Sequence, residues 1–179
     1  MKKLICALLA LTMIFAMTAG GGSKAPETTA PAAKIEGTME ELLNKVIEQR
    51  PVEFAGMVLP LDLTDTSEEA MWQFKTLTGL EDAAQVQEAA AYEPMIGSMA
   101  FSMVMVRTAD GVEPKTVAEA MKSGVDPRRW VCVEADDMLV AGCGDVVTLI
   151  MVSTANSLTA QSFVDAFQSV AGRNWDFVI

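Results

Sequence analysis

The sequence predicts an α+β fold: an antiparallel sheet of about four to five strands with helices packed mainly on one face. Three observations carry this expectation. Residues 99–107 alternate bulky Met99, Phe101, Met103 and Met105 with smaller Ala100, Ser102, Val104 and Val106, the period-two pattern of a buried strand. The turns at Asp136-Asp137 and Gly142–Asp145 are too short for a crossover, so the strands they join must be antiparallel. The order helix, helix, hairpin, helix, strands, helix also lacks the steady alternation that builds a parallel sheet.

In chain order, Thr38-Met39-Glu40-Glu41 forms a capping box ahead of a helix. Met39, Leu42, Leu43, Val46 and Ile47 recur along it at helical spacing, and Pro51 stops it. Met57–Leu63 is apolar and extended, and Pro60 confines it to an edge or an irregular segment. A second capping box, Thr66-Ser67-Glu68-Glu69, opens a helix through Ala70, Met71, Phe74 and Leu77 that Gly79 ends. Acids near that start, Asp62 and Asp65, read as cap and dipole partners rather than cation ligands.

Ala83–Ala91 has helix-forming composition, yet Tyr92-Glu93-Pro94 ends it and Gly97-Ser98 punctuates the chain just before the alternating strand. A hairpin of Gln85–Tyr92 with Ala100–Thr108 is therefore expected. Asp110-Gly111 turns the chain, and Pro114 starts a helix with Val117, Ala118 and Met121 that ends at Gly124. Three strands are then expected at Trp130–Ala135, Met138–Ala141 and Val146–Val152. The last helix, capped by Asn156 or Ser157, presents Leu158, Phe163, Val164, Phe167 and Val170 before Gly172.

The N-terminus carries a different signal. Basic Met1-Lys2-Lys3 precedes the uncharged run Leu4–Ala19, short of the roughly 20 apolar residues of a membrane span and suited to an export signal. Residues 1–20 are read as that signal, residues 21–36, rich in Gly, Ala, Pro and Thr, as a flexible tether, and residues 37–179 as one domain. Loss of residues 1–20 removes Lys2 and Lys3 and no acid. It leaves 11 basic against 24 acidic side chains, a net charge of −13. Such a balance argues against nucleic-acid binding, which needs a basic stripe. With no His in the chain, imidazole-based nucleophile activation and most zinc chemistry are excluded.

This layout resembles that of small exported lipoproteins of clostridial-type Gram-positive bacteria, a family grouped as a domain of unknown function. The resemblance rests on the signal and tether, on residues 91–111 (AYEPMIGSMAFSMVMVRTADG) and on residues 138–153 (MLVAGCGDVVTLIMVS). It implies a strand ending at Tyr92, a strand Val104–Arg107 before Asp110, and a hairpin turning on Gly144-Asp145. It implies no catalytic residues. At the position where a lipoprotein carries its lipid-accepting Cys this chain has Gly20. The exported chain is then released after cleavage, retained by an uncleaved signal, or altered at Gly20 relative to a lipidated relative.

Four groups of side chains merit chemical attention. Cys132 and Cys143 are the cysteines left after signal removal. Two buried thiols are favoured over a disulfide, because Cys132 would face Ala141 across the expected hairpin. Met95, Met99, Met103 and Met105 fit core packing better than a copper site. Glu134, Asp136, Asp137 and Asp145 form a possible acidic cluster, with turn chemistry the simpler account. Tyr92, Arg128, Arg129 and Trp130 are the candidates for a recognition surface.

No cofactor, metal or catalytic set is expected. The function these residues favour is that of a non-catalytic extracytoplasmic binding or accessory module. It would be secreted or tethered at the outer face of the cytoplasmic membrane, touching membrane only through the N-terminal segment. Its partner would be an extracytoplasmic protein or cell-wall component. The alternative is a carboxylate-dependent hydrolase of wall glycans using acids within Glu134–Asp145, which requires two carboxyls about 5–10 Å apart.

Overall fold

A computed structural model describes residues 33–179. The expected export signal (residues 1–20) and residues 21–32 of the expected tether lie outside the described residues. The fold is α+β, as its sequence predicts, and the sheet is antiparallel with six strands in the order β1-β2-β3-β5-β4-β6. These are β1 (Gly56–Pro60), β2 (Val86–Pro94), β3 (Phe101–Thr108), β4 (Asp137–Cys143), β5 (Val146–Val152) and β6 (Phe177–Val178). The helices are α1 (Met39–Gln49), α2 (Glu68–Thr78), α3 (Pro114–Gly124) and α4 (Ala160–Ala171).

The helices divide two and two between the faces of the sheet rather than gathering mainly on one. The reason lies in the central strands: every residue of β5 is buried, as is all of β3 except Arg107. Such strands are apolar on both sides and need cover on both. Phe101, Met103 and Met105 of β3 and Ile150 and Val152 of β5 pack beneath α1 and α4. Val104 and Val106 with Val147, Leu149 and Met151 pack beneath α2 and α3. The methionines Met103 and Met105 are fully buried fillers of the first core, and Met99 packs against it.

Local signals set most of the helix ends. Thr38 accepts from the Glu41 amide and Glu41 accepts from the Thr38 amide, so the capping box of α1 is complete. In α2 the cap is Ser67, one residue later than the box expected at Thr66, and it accepts from Ala70 N. Gly79 then closes α2 in the left-handed region at φ 74°. Pro114 occupies the first turn of α3, where its missing N–H costs nothing.

Three expectations are corrected. Trp130–Ala135 is not a strand but an irregular loop, with Cys132 at φ 61°, a conformation incompatible with a ladder. The loop is held instead by its ends, through Val131 N donating to Gly97 O and Ala135 N donating to Pro127 O. The last helix starts at Ala160 after a 3-10 turn at Thr154–Asn156, so Thr159 and not Asn156 or Ser157 is its N-cap. Asp137 supplies the missing cap from β4, its carboxylate accepting from Ala160 N at 2.8 Å. Finally, residues 33–36 at the end of the expected tether are bound to the fold. Ile35 is buried and donates its amide to Asp145.

Candidate functional site

The tip of the β2–β3 hairpin, the start of β1 and the loop before β4 meet at one corner of the molecule. Antiparallel pairing places Met57 opposite Glu93, and Met95 N donates to Ala55 O. The loop arrives through Val131 N, which donates to Gly97 O. Period-two alternation puts Glu93, Ser102 and Met57 on the same face as the α2–α3 core, where Arg129 reaches Glu93.

Beneath this corner lies a nearly closed polar group. Arg129 donates to Glu93 Oε1 at 2.7 Å, and their side chains are only 12% and 15% exposed. The fully buried Ser102 hydroxyl donates to the same oxygen. The Arg129 guanidinium also stacks on Trp130, 4.7 Å from its ring centre, and Trp130 in turn packs on the α2–α3 core. Burial pushes the Glu93 carboxyl above the usual carboxylate range, opposed by the Arg129 charge and by the hydrogen bonds from Ser102 and Arg129. With Ser102 buried and donating to Glu93, the group is turned into the protein. This group positions the loop.

The outer surface of the corner is apolar. Met57, Met95, Ile96 and Val131 are 47%, 65%, 54% and 68% exposed. The hairpin tip and the adjoining loop thus present four large apolar side chains to solvent, where a turn ordinarily carries polar ones.

Of the residues singled out from sequence, Arg129 and Trp130 come together here. Tyr92 is on the opposite face, 8% exposed and packed against Phe54 and Phe101, with burial raising its phenol pKa. Arg128 is exposed and lies 3.8 Å from Asp126. The acids do not form one cluster. Asp136 accepts from Thr154 N and Oγ1, Asp137 caps α4, and Glu134 is exposed. The Thr154 hydrogen bonds also hold the Asp136 carboxyl below its usual pKa. Asp145 lies in the turn at the far end of the β4–β5 hairpin, about 20 Å from Asp137 at roughly 3.4 Å per residue. That separation is too great for a glycosidase pair. Both thiols are free, as expected, but only Cys143 is buried: Cys132 is exposed, because its segment is a loop rather than a strand of the sheet.

A cleft of about 480 Å³ opens elsewhere, beside the start of α3, between Lys34, Asp110, Lys115, Asp145 and Arg173. Its charges are mixed and locally paired: Lys34 with Asp110 at 3.3 Å, Arg173 with Asp176 at 2.8 Å. Among the described residues no group of three or more Cys, Asp or Glu side chains is placed to hold a metal ion.

Sequence reading did not single out Met57, Ile96 and Val131 as surface residues, and it placed Met95 in the core, whereas the turn after β2 leaves Met95 exposed. One local signal was available: Met95-Ile96 sits against Gly97-Ser98 in a turn, where polar residues are the norm. No known protein family, curated protein or solved structure matches this chain.

Proposed function

We propose that this protein is a non-catalytic extracytoplasmic binding module that engages its partner through the apolar corner at Met57, Met95, Ile96 and Val131. The observation that carries the reading is the exposure of these four side chains over a loop locked by the Glu93–Arg129 pair. A rigid apolar surface loses little entropy on docking and gains from every side chain it buries. The extracytoplasmic address is supported by the basic start, the uncharged Leu4–Ala19 run and the small-residue tether. The same layout supports kinship with the exported lipoproteins that the sequence resembles. The partner is an extracytoplasmic protein or a cell-wall component.

The test uses the full-length chain in producing cells, with a photo-crosslinking amino acid at Ile96 or, as control, at the exposed Ser123 on α3. The reading expects one discrete adduct from position 96 and none from 123. Its absence from both positions would sink it. Mass measurement of the mature N-terminus in the extracellular and membrane fractions tests the address, with cleavage near residue 20 expected.

A further inference from the structure

The edge of the sheet at β1 has an unusual composition for an unpaired edge. Exposed edges normally carry charges, because a bare row of N–H and C=O groups templates pairing with another chain. Gly56-Met57-Val58-Leu59-Pro60 has none.

The direction of its free groups follows from the ladder. Leu61 N donates to Ala89 O and Met95 N donates to Ala55 O, so odd-numbered positions turn their backbone groups toward β2. Gly56, Val58 and Pro60 therefore turn theirs outward. Two amides and three carbonyls face away from the sheet, and among the described residues none has a backbone partner. Pro60, lacking an N–H, sits where it removes no bond to β2.

The surroundings of this edge are acidic at both ends. Glu53 precedes it, and Asp62, Asp65, Glu68 and Glu69 follow, all exposed. The nearest preceding cation, Arg50, is turned to Ser162, to the Pro51 carbonyl and over the Phe163 ring. A second copy of the chain pairing antiparallel about Val58 would set Asp62 opposite Phe54 and next to Glu53 of its mate, and like charges so placed repel. A segment with basic ends meets attraction there instead.

We propose that β1 accepts an extended, basic-flanked segment of a partner polypeptide as a further strand of the sheet. Backbone hydrogen bonds to Gly56 and Val58 supply the pairing, the exposed Met57 packs on one face, and the flanking acids select the charge. This rests on the reading of the adjoining corner as the binding surface, since Met57 belongs to both.

The test titrates full-length protein with two probe peptides, Lys-Lys-Thr-Val-Thr-Val-Thr-Lys-Lys and the same core flanked by Glu, while amide hydrogen exchange is followed at Gly56 and Val58. The Lys-flanked peptide is expected to protect both amides and to bind at least about ten-fold tighter than the Glu-flanked one, as a few exposed ion pairs would give. Val58→Pro removes an outward N–H, as Pro60 already does, and should abolish the protection at Gly56. Glu53→Lys, at an exposed position, should weaken the Lys-flanked peptide about three-fold while leaving the fold intact.

Absence of protection by either peptide, with a discrete adduct at Ile96, would overturn strand addition and leave the binding corner standing. Protection already present in the free chain would assign the edge to residues 1–32 or, if it grows with protein concentration, to a second copy. Either result would overturn the partner-segment proposal.

Discussion

Asp145 accepts the amide of Ile35, 110 residues earlier in the chain, at 2.8 Å, and with its other oxygen pairs with Arg107. Arg107 extends the connection, donating to Gly37 O at 2.6 Å and lying 3.5 Å from Glu88, which itself accepts from Met39 N. One ion network thus pins residues 35–39 across the ends of β2, β3 and β5. Ile35, inside the stretch whose composition reads as tether, is thereby part of the fold.

The clasp has a measurable worth. Arg107 and Asp145 side chains are 12% and 8% exposed, so removing one partner leaves a largely buried charge poorly paired. Asp145→Asn is expected to cost about 2–3 kcal/mol, less than a fully isolated charge because Glu88 stays near Arg107. Adding Arg107→Met to Asp145→Asn should cost far less than the sum of the two single changes, since the orphaned charge is gone. Denaturant midpoints of the three variants check this; simple additivity would refute the coupling.

What the sequence made legible was short-range. The capping box at Thr38 and Glu41, the hairpin of β2 with β3, the Gly144-Asp145 turn and the stop at Gly79 are each decided within a few residues. What escaped was decided across the chain. Trp130–Ala135 has strand-like residues, but Arg129 is drawn to Glu93, 36 positions away, and the loop follows it. β6 is two residues long and exists because Gly142 leaves room for the Phe177 ring against β4. Arg129 and Trp130 were legible as site residues by type, whereas Met57 joins them only through the β1–β2 register.

A second expectation concerns pH. Burial raises the Glu93 carboxyl above its ordinary value of 4.5, so the folded protein holds that proton over a range where the unfolded chain has released it. Its contribution to stability is therefore present below the ordinary value and is lost as pH rises through the raised one. Carboxyl carbon chemical shifts should place the Glu93 midpoint above the usual range. Glu93→Gln should flatten that segment of the stability curve; an unchanged slope would assign the pH dependence to another group.

A third follows from Gly56. A Cβ there would lie 2.5 Å from the Tyr92 ring, so the strand needs glycine for close approach rather than for an unusual φ. Gly56→Ala should destabilise the fold by about 1–3 kcal/mol through overpacking. Tyr92 is the single tyrosine of the chain, so its ionisation can be read directly by ultraviolet absorbance. The phenol should titrate above its ordinary 10 in the native protein and move back toward that value in Gly56→Ala if the ring is displaced outward. An unshifted midpoint in the native protein would refute the packing described for Tyr92.

Thr148 gives a change of opposite sign. It sits in the middle of β5 between Met105 and Ala141, fully buried, and its hydroxyl has no hydrogen-bond partner among the described residues. The side chains on its own face of the sheet, Met105, Ala141, Val146 and Ile150, are all apolar, so the hydroxyl is desolvated without return. Valine has nearly the same shape and no group to desolvate. Thr148→Val is therefore expected to stabilise the protein by about 1 kcal/mol, with the denaturant midpoint rising and its slope unchanged. A loss of stability on this substitution would mean that the hydroxyl has a bound partner in solution, and that the two layers at β5 are not packed as tightly as their zero exposure requires.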